Sequence, residues 1–572
     1  MVEAKLMVAG EAGQGVQSVG NILARTFARG GYHVYSDQDY ESRVRGGHNF
    51  FRIRVKDNEV GAIDGNLDLL LALNQESIDL HRKELVEGGV VIFDREKAPE
   101  LQGKGLLGVP LSELAEKETG NKLMANTVAL GACLGLIEYE PDIVEVPLKE
   151  TFGSQASEAN VKALHAGHKY TRENFRDGFH INLKAGIEKG KLLLNGNEAL
   201  ALGAITAGCK FMAGYPMTPA SSILEYMASK AEDMDLIVVQ PEDEISAVNM
   251  VVGAGYAGVR AMTATSGSGF CLMVEGLGLA GLTETPVVIV DAQRPGPAVG
   301  LPTRTEQGDL QFVLYAHHGD FPRAVLAPST VEDAFHMIIK AFNLAERYQI
   351  PVIVLTDHVL ATSYQTVKSF DFRKIKIDRG DLYEAKKHGK PENYRRHLST
   401  KSGISPRAFP GLSEALVATD ADEHGEEGHL IEDAGIRTSQ VDKRLRKYNG
   451  LRKETEPPLS YGESKAETTL ISWGTTYGAV REAVDVLRGE SMSVNMLQLN
   501  QLWPFPAREL SDALQKVHTS YVVEGNASGQ LARLIRTETG IKVSGKILKY
   551  DGRPFTPAYI AGRVKKGEIT PW

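Results

Sequence analysis

The chain has 572 residues, 42% of them apolar and 24% charged, with a formal net charge of −9. At roughly 150 residues per domain that length suggests three or four domains, each able to bury a core, and the composition excludes collagen-like and wholly disordered chains. The acidic balance argues against a nucleic-acid-binding surface as the main business of the protein.

In chain order the first elements read strand, glycine turn, helix. Leu6-Met-Val-Ala9 is a short apolar run, and Gly10-Glu-Ala-Gly13-Gln-Gly15 follows it. Val19, Ile22, Leu23 and Phe27 then fall at helical spacing before Gly30-Gly31. With further buried strands at 32–35, 69–73 and 89–93, residues 1–190 are expected to be a parallel α/β domain with a helical extension. Residues 191–365 are expected to form a second α/β domain, with strands at 236–239, 286–290 and 351–355 apolar enough for a sheet buried on both faces. Residues 366–465 are dense in charge and poor in periodicity. They read as an insert or linker packed across other domains, and so long a segment implies an interaction role. Strands at 469–473, 494–499 and 520–524 make residues 466–572 a last α/β domain, so the fold class is α/β and multidomain.

Cys133, Cys209 and Cys271 lie far apart with no Cys-x-x-Cys. That spacing excludes a disulfide scaffold and an iron–sulfur cluster ligated by this chain alone. The first residues, Met-Val-Glu-Ala-Lys-Leu, lack a signal-peptide pattern, and no uncharged apolar stretch reaches membrane-spanning length. A cytoplasmic location, with neither membrane nor nucleic acid as partner, is the expectation.

Five stretches of residues are candidates to carry chemistry. Gly10, Gly13 and Gly15 would place backbone N–H groups and a helix N-terminus around an anion. Their spacing is offset from the dinucleotide fingerprint, and Asp37 comes late for a ribose acid. A phosphate-bearing ligand and a tight structural turn are both open readings. Arg43-Val-Arg45-Gly46-Gly47-His48 adds guanidinium groups suited to phosphate, or a solvated loop. In the second domain, Tyr215-Pro216-Met-Thr218-Pro219 holds a hydroxyl between prolines that fix φ, with a helix N-cap as the plain alternative. Gln240-Pro-Glu242-Asp-Glu244 leaves a strand and opens a helix. It reads as a capping cluster or as an acid kept in a cleft for proton exchange. Thr263-Ala-Thr265-Ser266-Gly267-Ser-Gly269-Phe270 supplies hydroxyls and a glycine turn that lets backbone approach a planar ligand.

The first turn together with Arg45-Gly46-Gly47 resembles the gamma domain of the 2-oxoacid:acceptor (ferredoxin) oxidoreductases, with Ala12 departing from the usual Gly-x-Gly-Gly-Gln-Gly. The three motifs of the second domain, in this order, resemble the pyrimidine-binding domain of the same family. Pro302–Leu310, Gly403–Arg407, Glu423-His424, Val523–Asn526 and Ser528-Gly-Gln530 match further family motifs, and the last domain resembles the transketolase C-terminal domain. The resemblance covers nearly the whole chain as a fused gamma–alpha subunit, most like the 2-oxoglutarate:ferredoxin group.

That resemblance implies coenzyme A at Gly13, Gly15 and Arg45, and thiamine diphosphate at Tyr215, Pro216, Thr265, Ser266 and Gly267. It implies a glutamate on N1′ of the aminopyrimidine, which by motif order is Glu244, with Glu242 in competition. Thr218 and Arg304 match the positions used for the substrate carboxylate, and a guanidinium suits a carboxylate. The implied reaction is reversible oxidative decarboxylation of a 2-oxoacid, with acyl transfer to coenzyme A and electrons passing to ferredoxin. Among substrates 2-oxoglutarate comes first, ahead of pyruvate and branched-chain 2-oxoacids.

A thiamine diphosphate enzyme also needs a Gly-Asp-Gly segment and a later Asn for Mg²⁺; His318-Gly-Asp320 and Arg379-Gly-Asp381 lack that context. No metal ligand is therefore expected here. The resemblance supplies a beta subunit with the diphosphate site, Mg²⁺ and a [4Fe–4S] cluster, in a dimer of heterodimers. A non-catalytic coenzyme A-binding scaffold and a nicotinamide-dependent dehydrogenase remain as readings from other classes. His165 with His168 shows no third ligand, and the ligand-rich stretch 423–429 reads as a solvated or interface loop. Residues 524–530 are expected to serve packing.

Overall fold

Leu6 to Ala9 lie in a strand, Glu3–Glu11, whose residues pass from half-buried to fully buried as the chain enters the sheet. This is the first of twenty strands in a computed structural model that describes residues 2–41, 46–175, 179, 181–184, 190–515 and 517–571, side chains of 154–157 excepted. The chain divides into two units: residues 1–195, 362–370 and 556–558, and residues 196–361, 371–555 and 559–572.

The first unit is an eight-stranded sheet with helices. Glu3–Glu11, Leu67–Ala72, Leu85–Asp94 and Leu106–Val109 run parallel. His48–Lys56 pairs antiparallel with both Glu3–Glu11 and His33–Asp39. The link between His33–Asp39 and His48–Lys56 is too short for the crossover that a parallel neighbour needs, so the pair folds back. Lys191–Asn195 and Tyr364–Lys368, close to the boundaries expected at 190/191 and 365/366, pair antiparallel and complete this sheet beside His33–Asp39. Helix Val16–Arg29 buries Val19, Ile22, Leu23 and Phe27 in a core shared with Leu6, Val8, Phe51 and Ile53.

The second unit holds two sheets. Six parallel strands form the body of the first, in the order Ala324–Leu326, Pro351–Asp357, Val287–Gln293, Ala261–Thr265, Phe211–Ala213 and Ile237–Val239. Val287–Gln293 and Pro351–Asp357 are buried along their whole length, as central strands covered on both faces must be. The other sheet has four parallel strands, Val494–Leu499, Thr468–Trp473, Thr519–Glu524 and Gly545–Leu548, with Leu459–Gly462 antiparallel at its edge. Ile289 and Ile353 from one sheet share a core with Trp473 and Leu499 from the other. Gln501–Trp503 leaves the second sheet to pair antiparallel with Ala324–Leu326 of the first. No described helix is long and apolar enough to cross a membrane.

The charged segment after 371 is held by ions and not by an apolar face, which is why it shows no helical periodicity over most of its length. Lys443 on helix Ala434–Arg446 and Lys447 just beyond it each reach a carboxylate oxygen of Glu284 at 2.5 Å. His397 Nδ1 meets the same carboxylate at 2.9 Å. Burial alone would raise the Glu284 carboxyl, but Lys443 and Lys447 outweigh it and hold the group well below the usual carboxylate range. Glu284 has φ 52°, a left-handed backbone that costs a non-glycine residue about 1 kcal/mol. Glu423 accepts two hydrogen bonds from Arg444, and His424 is fully buried against His397 with ring centroids 3.9 Å apart. Within the stretch 423–429, Glu423 and His424 are therefore spent on packing, while Glu427 and His429 face solvent. Glu284→Gln should leave two buried ammonium groups without their anion. A loss of about 3–5 kcal/mol in unfolding free energy is expected, measured by urea denaturation.

Candidate functional site

Parallel strands all end on the same edge of their sheet, and ligands of open α/β sheets bind outside that carboxyl edge. Five neighbouring strands deliver the motifs there. Tyr215, Pro216 and Thr218 follow Phe211–Ala213, and Glu244 follows Ile237–Val239. Thr265 ends Ala261–Thr265, Arg294 and Arg304 follow Val287–Gln293, and His358 follows Pro351–Asp357.

The two competing acids have opposite environments. Glu242 is exposed, and its carboxylate accepts from the Ser246 hydroxyl at 2.7 Å, which lowers its pKa. Asp243 is the N-cap of helix Glu244–Tyr256, accepting from the Ser246 backbone N–H at 2.8 Å. Glu244 opens the helix pointing inward: it is 3% exposed, and its Oε1 has no hydrogen-bond partner among the described residues. Burial raises its pKa and Asp243 adds to the rise, while Arg294 opposes it.

The turn after Ala261–Thr265 closes on this acid. A Cβ at Gly269 would collide with Thr265 Oγ1 and Glu244 Oε1, and one at Gly267 would stand 2.5 Å from Asp309 Oδ2. Ser266 is fully buried and its hydroxyl also lacks a partner among the described residues. The Ser268 hydroxyl meets Met217 Sδ at 3.9 Å, joining this turn to the Tyr215–Pro219 loop. Helix Ser221–Ser229 begins with Ala220 as its cap residue and no side-chain cap, so Thr218 does not serve as its N-cap. Instead the Thr218 carbonyl accepts from Arg294 Nη1 at 2.6 Å. Tyr215 and Pro216 are exposed.

Arg304 is half-buried against Gly552, whose Cβ position lies 3.1 Å from Arg304 Cβ, and it faces His358. Burial, helped by Arg304, pushes the His358 imidazole down to about 4. The structure thus brings Glu244, Thr265 and the 266–269 turn together, with the Thr218 loop tied to them through Met217 and Arg294, and Arg304 on the connection after Val287–Gln293. Gln307, from the same connection, is spent on docking: its amide donates to the Trp473 carbonyl at 2.9 Å and accepts from the Gly525 N–H at 2.8 Å. Glu524 likewise accepts from the N–H groups of Leu531 and Ala532 at 2.9 and 3.2 Å, which is packing.

Three residues here escaped the sequence reading: Arg294, Asp291 and Asp309. Asp291 is fully buried within its strand, with neither carboxyl oxygen hydrogen-bonded among the described residues. Burial and the neighbouring Asp309 raise it well above the usual range. Asp309 is pushed up to about 7 by burial first and then Glu306, against the pull of Arg294. For Arg294 and Asp291 the available signal was a charge inside or just beyond an apolar strand; Asp309 stood inside the Pro302–Leu310 motif without a role of its own.

In the first unit, Gly13 and Gly15 have φ of 92° and 84°, and Gly15 caps helix Val16–Arg29 with no side chain on the cap and no acid in the first turn. That is an anion-accepting terminus in form. Arg45, like Arg43, lies outside the described residues. His165 acquires neighbours the sequence did not suggest: ligand atoms of Asp142, Glu145 and His165 all lie within 4.8 Å of one another. Helix Glu145–Asn174 breaks at Gly153, with φ 75° and ψ 168°, so residues twenty apart can meet.

Residues 202–443 match the family described as pyruvate flavodoxin/ferredoxin oxidoreductase, thiamine diphosphate-binding. Residues 5–170 match pyruvate ferredoxin/flavodoxin oxidoreductase, and residues 466–560 match pyruvate:ferredoxin oxidoreductase core domain II. A Sulfolobus 2-oxoacid:ferredoxin oxidoreductase subunit alpha is 34% identical, the alignment covering 96% of this chain and 94% of the relative. The 2-oxoglutarate synthase subunit KorA of Methanothermobacter thermautotrophicus is 34% identical over 65% of this chain and 98% of its own. Among solved structures, 2-oxoglutarate:ferredoxin oxidoreductase from Magnetococcus marinus, with 2-oxoglutarate, coenzyme A and succinyl-CoA bound, superposes with a TM-score of 0.91 at 32% identity, covering 99% of each chain.

The raised carboxyl of Asp309 sets a sign for pH dependence. An acid whose folded pKa is raised contributes its stability fully below the ordinary value of about 4 and loses it as pH rises through the folded value. For Asp309 that loss is expected up to about pH 7. Asp309→Asn keeps the shape without titrating, so the difference between urea midpoints at pH 5 and pH 8 should be smaller in the variant than in the wild type.

Proposed function

The chain belongs to the 2-oxoacid:ferredoxin oxidoreductase family, and from that premise we propose that it is the alpha subunit of an enzyme that reversibly decarboxylates 2-oxoglutarate oxidatively, with coenzyme A as acyl acceptor and ferredoxin as electron acceptor. The observation that carries the reading is Glu244: a buried carboxyl with an oxygen that has no partner among the described residues, closely approached by a turn whose Gly269 has no Cβ to collide with it. The bound 2-oxoglutarate of the Magnetococcus marinus structure and the name of the KorA relative favour that substrate over pyruvate and branched-chain 2-oxoacids.

Thiamine diphosphate, when bound, supplies a thiazolium that accepts the electron pair left behind by departing CO₂. The residues of this chain do the rest of the work on their side. Glu244 shares a proton with the aminopyrimidine N1′, and burial raises its pKa in the direction that favours holding that proton. Asp243 is committed to the helix cap and Glu242 to solvent, which leaves the task to one acid. Thr265, Ser266 and Gly267 line the cofactor's side of the site, and the lack of a side chain at Gly267 lets Asp309 pack against the turn. The Thr218 hydroxyl and the Arg304 guanidinium hold the substrate carboxylate, a two-pronged match for the latter. Gly13, Gly15 and Arg45 take a phosphate of coenzyme A. A beta subunit brings the diphosphate site, Mg²⁺ and a [4Fe–4S] cluster, and two such heterodimers pair.

Two measurements on the alpha–beta complex test this. Glu244→Gln should cut coenzyme A-dependent reduction of a low-potential dye by 2-oxoglutarate about 10³-fold, whereas Glu242→Gln should change it little. Gly269→Ala should weaken thiamine diphosphate binding by at least about tenfold in calorimetry, because the added methyl displaces the Glu244 carboxyl.

A further inference from the structure

The break at Gly153 lets the second half of helix Glu145–Asn174 return to the start of the first. His165 Nε2 lies 3.9 Å from Glu145 Oε1, and with Asp142 the three ligand atoms all fall within 4.8 Å of one another. Packing imposes that approach. Val144 and Leu148 beside the acids are fully buried, and so are Ala163 and Leu164 beside the histidine. The histidine's half is pressed onto helix Ala125–Leu136. A Cβ at Gly131 would stand 2.0 Å from the Leu164 carbonyl oxygen, and one at Gly167 would stand 1.9 Å from that of Val128. His165 therefore cannot withdraw from the acids without opening a backbone-to-backbone contact between two helices.

A helix dipole favours acids in its first turn, which accounts for Asp142 and Glu145. It does not account for an imidazole brought to the same positive end. Among the described residues, neither the Asp142 carboxylate nor the His165 ring has a hydrogen-bond partner. Glu145 divides its oxygens: Oε2 accepts from Lys149 Nζ at 3.2 Å, which leaves Oε1 facing His165. Two carboxylates and an imidazole nitrogen thus converge with no hydrogen bond between them, on elements that hold them there.

We propose that Asp142, Glu145 and His165 are the ligands of a divalent transition-metal ion that ties the two halves of this helix together. The site lies in the first unit and draws nothing from the reading of Glu244. One imidazole nitrogen with two carboxylate oxygens suits zinc and its first-row neighbours, whereas magnesium and calcium favour oxygen alone. At bond lengths of about 2.0–2.1 Å, the ligand atoms of a tetrahedral ion stand about 3.4 Å apart, so small side-chain rotations close the observed spacing. Asp142 is exposed and His165 half-buried, which lets the ion enter from solvent and keep water in its remaining position.

The test is calorimetric titration of zinc into the full-length chain after removal of metal by a chelator. The wild type should bind with a dissociation constant of about 10 μM or tighter. His165→Ala should weaken this by about a hundredfold, since even groups behind the ligands cost about 10–100-fold. Asp142→Asn, a change at an exposed position, should weaken it by at least about tenfold. His168→Ala, three residues along and outside the ligand set, should bind zinc as the wild type does. Cobalt(II) should give a visible absorption band that zinc displaces and that H165A lacks. Absence of saturable zinc binding in the wild type would overturn the proposal. So would equal zinc affinity in wild type, H165A and D142N, loss of binding in H168A alone, or a preference for magnesium over zinc. If circular dichroism shows H165A to be misfolded, D142N decides.

Discussion

The close approach of the 266–269 turn to Glu244 and Asp309 is the constraint on which the rest of the site depends. Backbone without side chains at 267 and 269 lets two carboxyls come within contact distance of the turn. Those carboxyls are thereby removed from water, and desolvation raises both pKa values. Burial of a charge is costly unless it is paired. Both acids therefore resist ionisation more than a carboxyl in water does, and the charge of Arg294 opposes that rise in each.

That arrangement needs a frame that brings five loops to one edge, and the parallel order of the sheet provides it. Each strand hands its motif to the same side without any long-range signal in the sequence. The connection after Val287–Gln293 does two jobs: Arg304 faces His358, while Gln307 locks the connection onto the 525–530 turn of the following sheet. Glu284 anchors the charged segment to the same unit through Lys443, Lys447 and His397.

Strand positions in the second unit were legible because apolar runs such as Val287–Val290 and Val352–Leu355 have few readings other than buried strand. Motif order pointed to Glu244 with Glu242 in competition. Their different burial depends on where the helix begins, and Asp243 as N-cap sets that. Arg294 and Asp291 looked like ordinary polar residues at strand ends; only the sheet shows what lies across from them. His48–Lys56 does alternate, yet it follows the sequence run Arg43-Val-Arg45-Gly46-Gly47, whose composition hid its start. The segment after 371 carried no period because ion pairs, which can link any two positions, hold it. The meeting of Asp142 and Glu145 with His165 follows from one break at Gly153, and a glycine within a helix does not announce the angle it will take.

The strand Tyr364–Lys368 has a consequence for how the protein is made. It lies between His33–Asp39 and Lys191–Asn195 in the first unit's sheet, although most of the second unit's first sheet is synthesised before it. A nascent chain that has passed residue 195 still lacks that strand, and the hydrogen-bonding edge of His33–Asp39 stays open until residue 368 has left the ribosome. Open edges invite pairing with other chains, and domains otherwise tend to fold in order of synthesis. Translation of this polypeptide thus carries a waiting interval, with the N-terminal sheet incomplete while the sequence that will seal it is still being read.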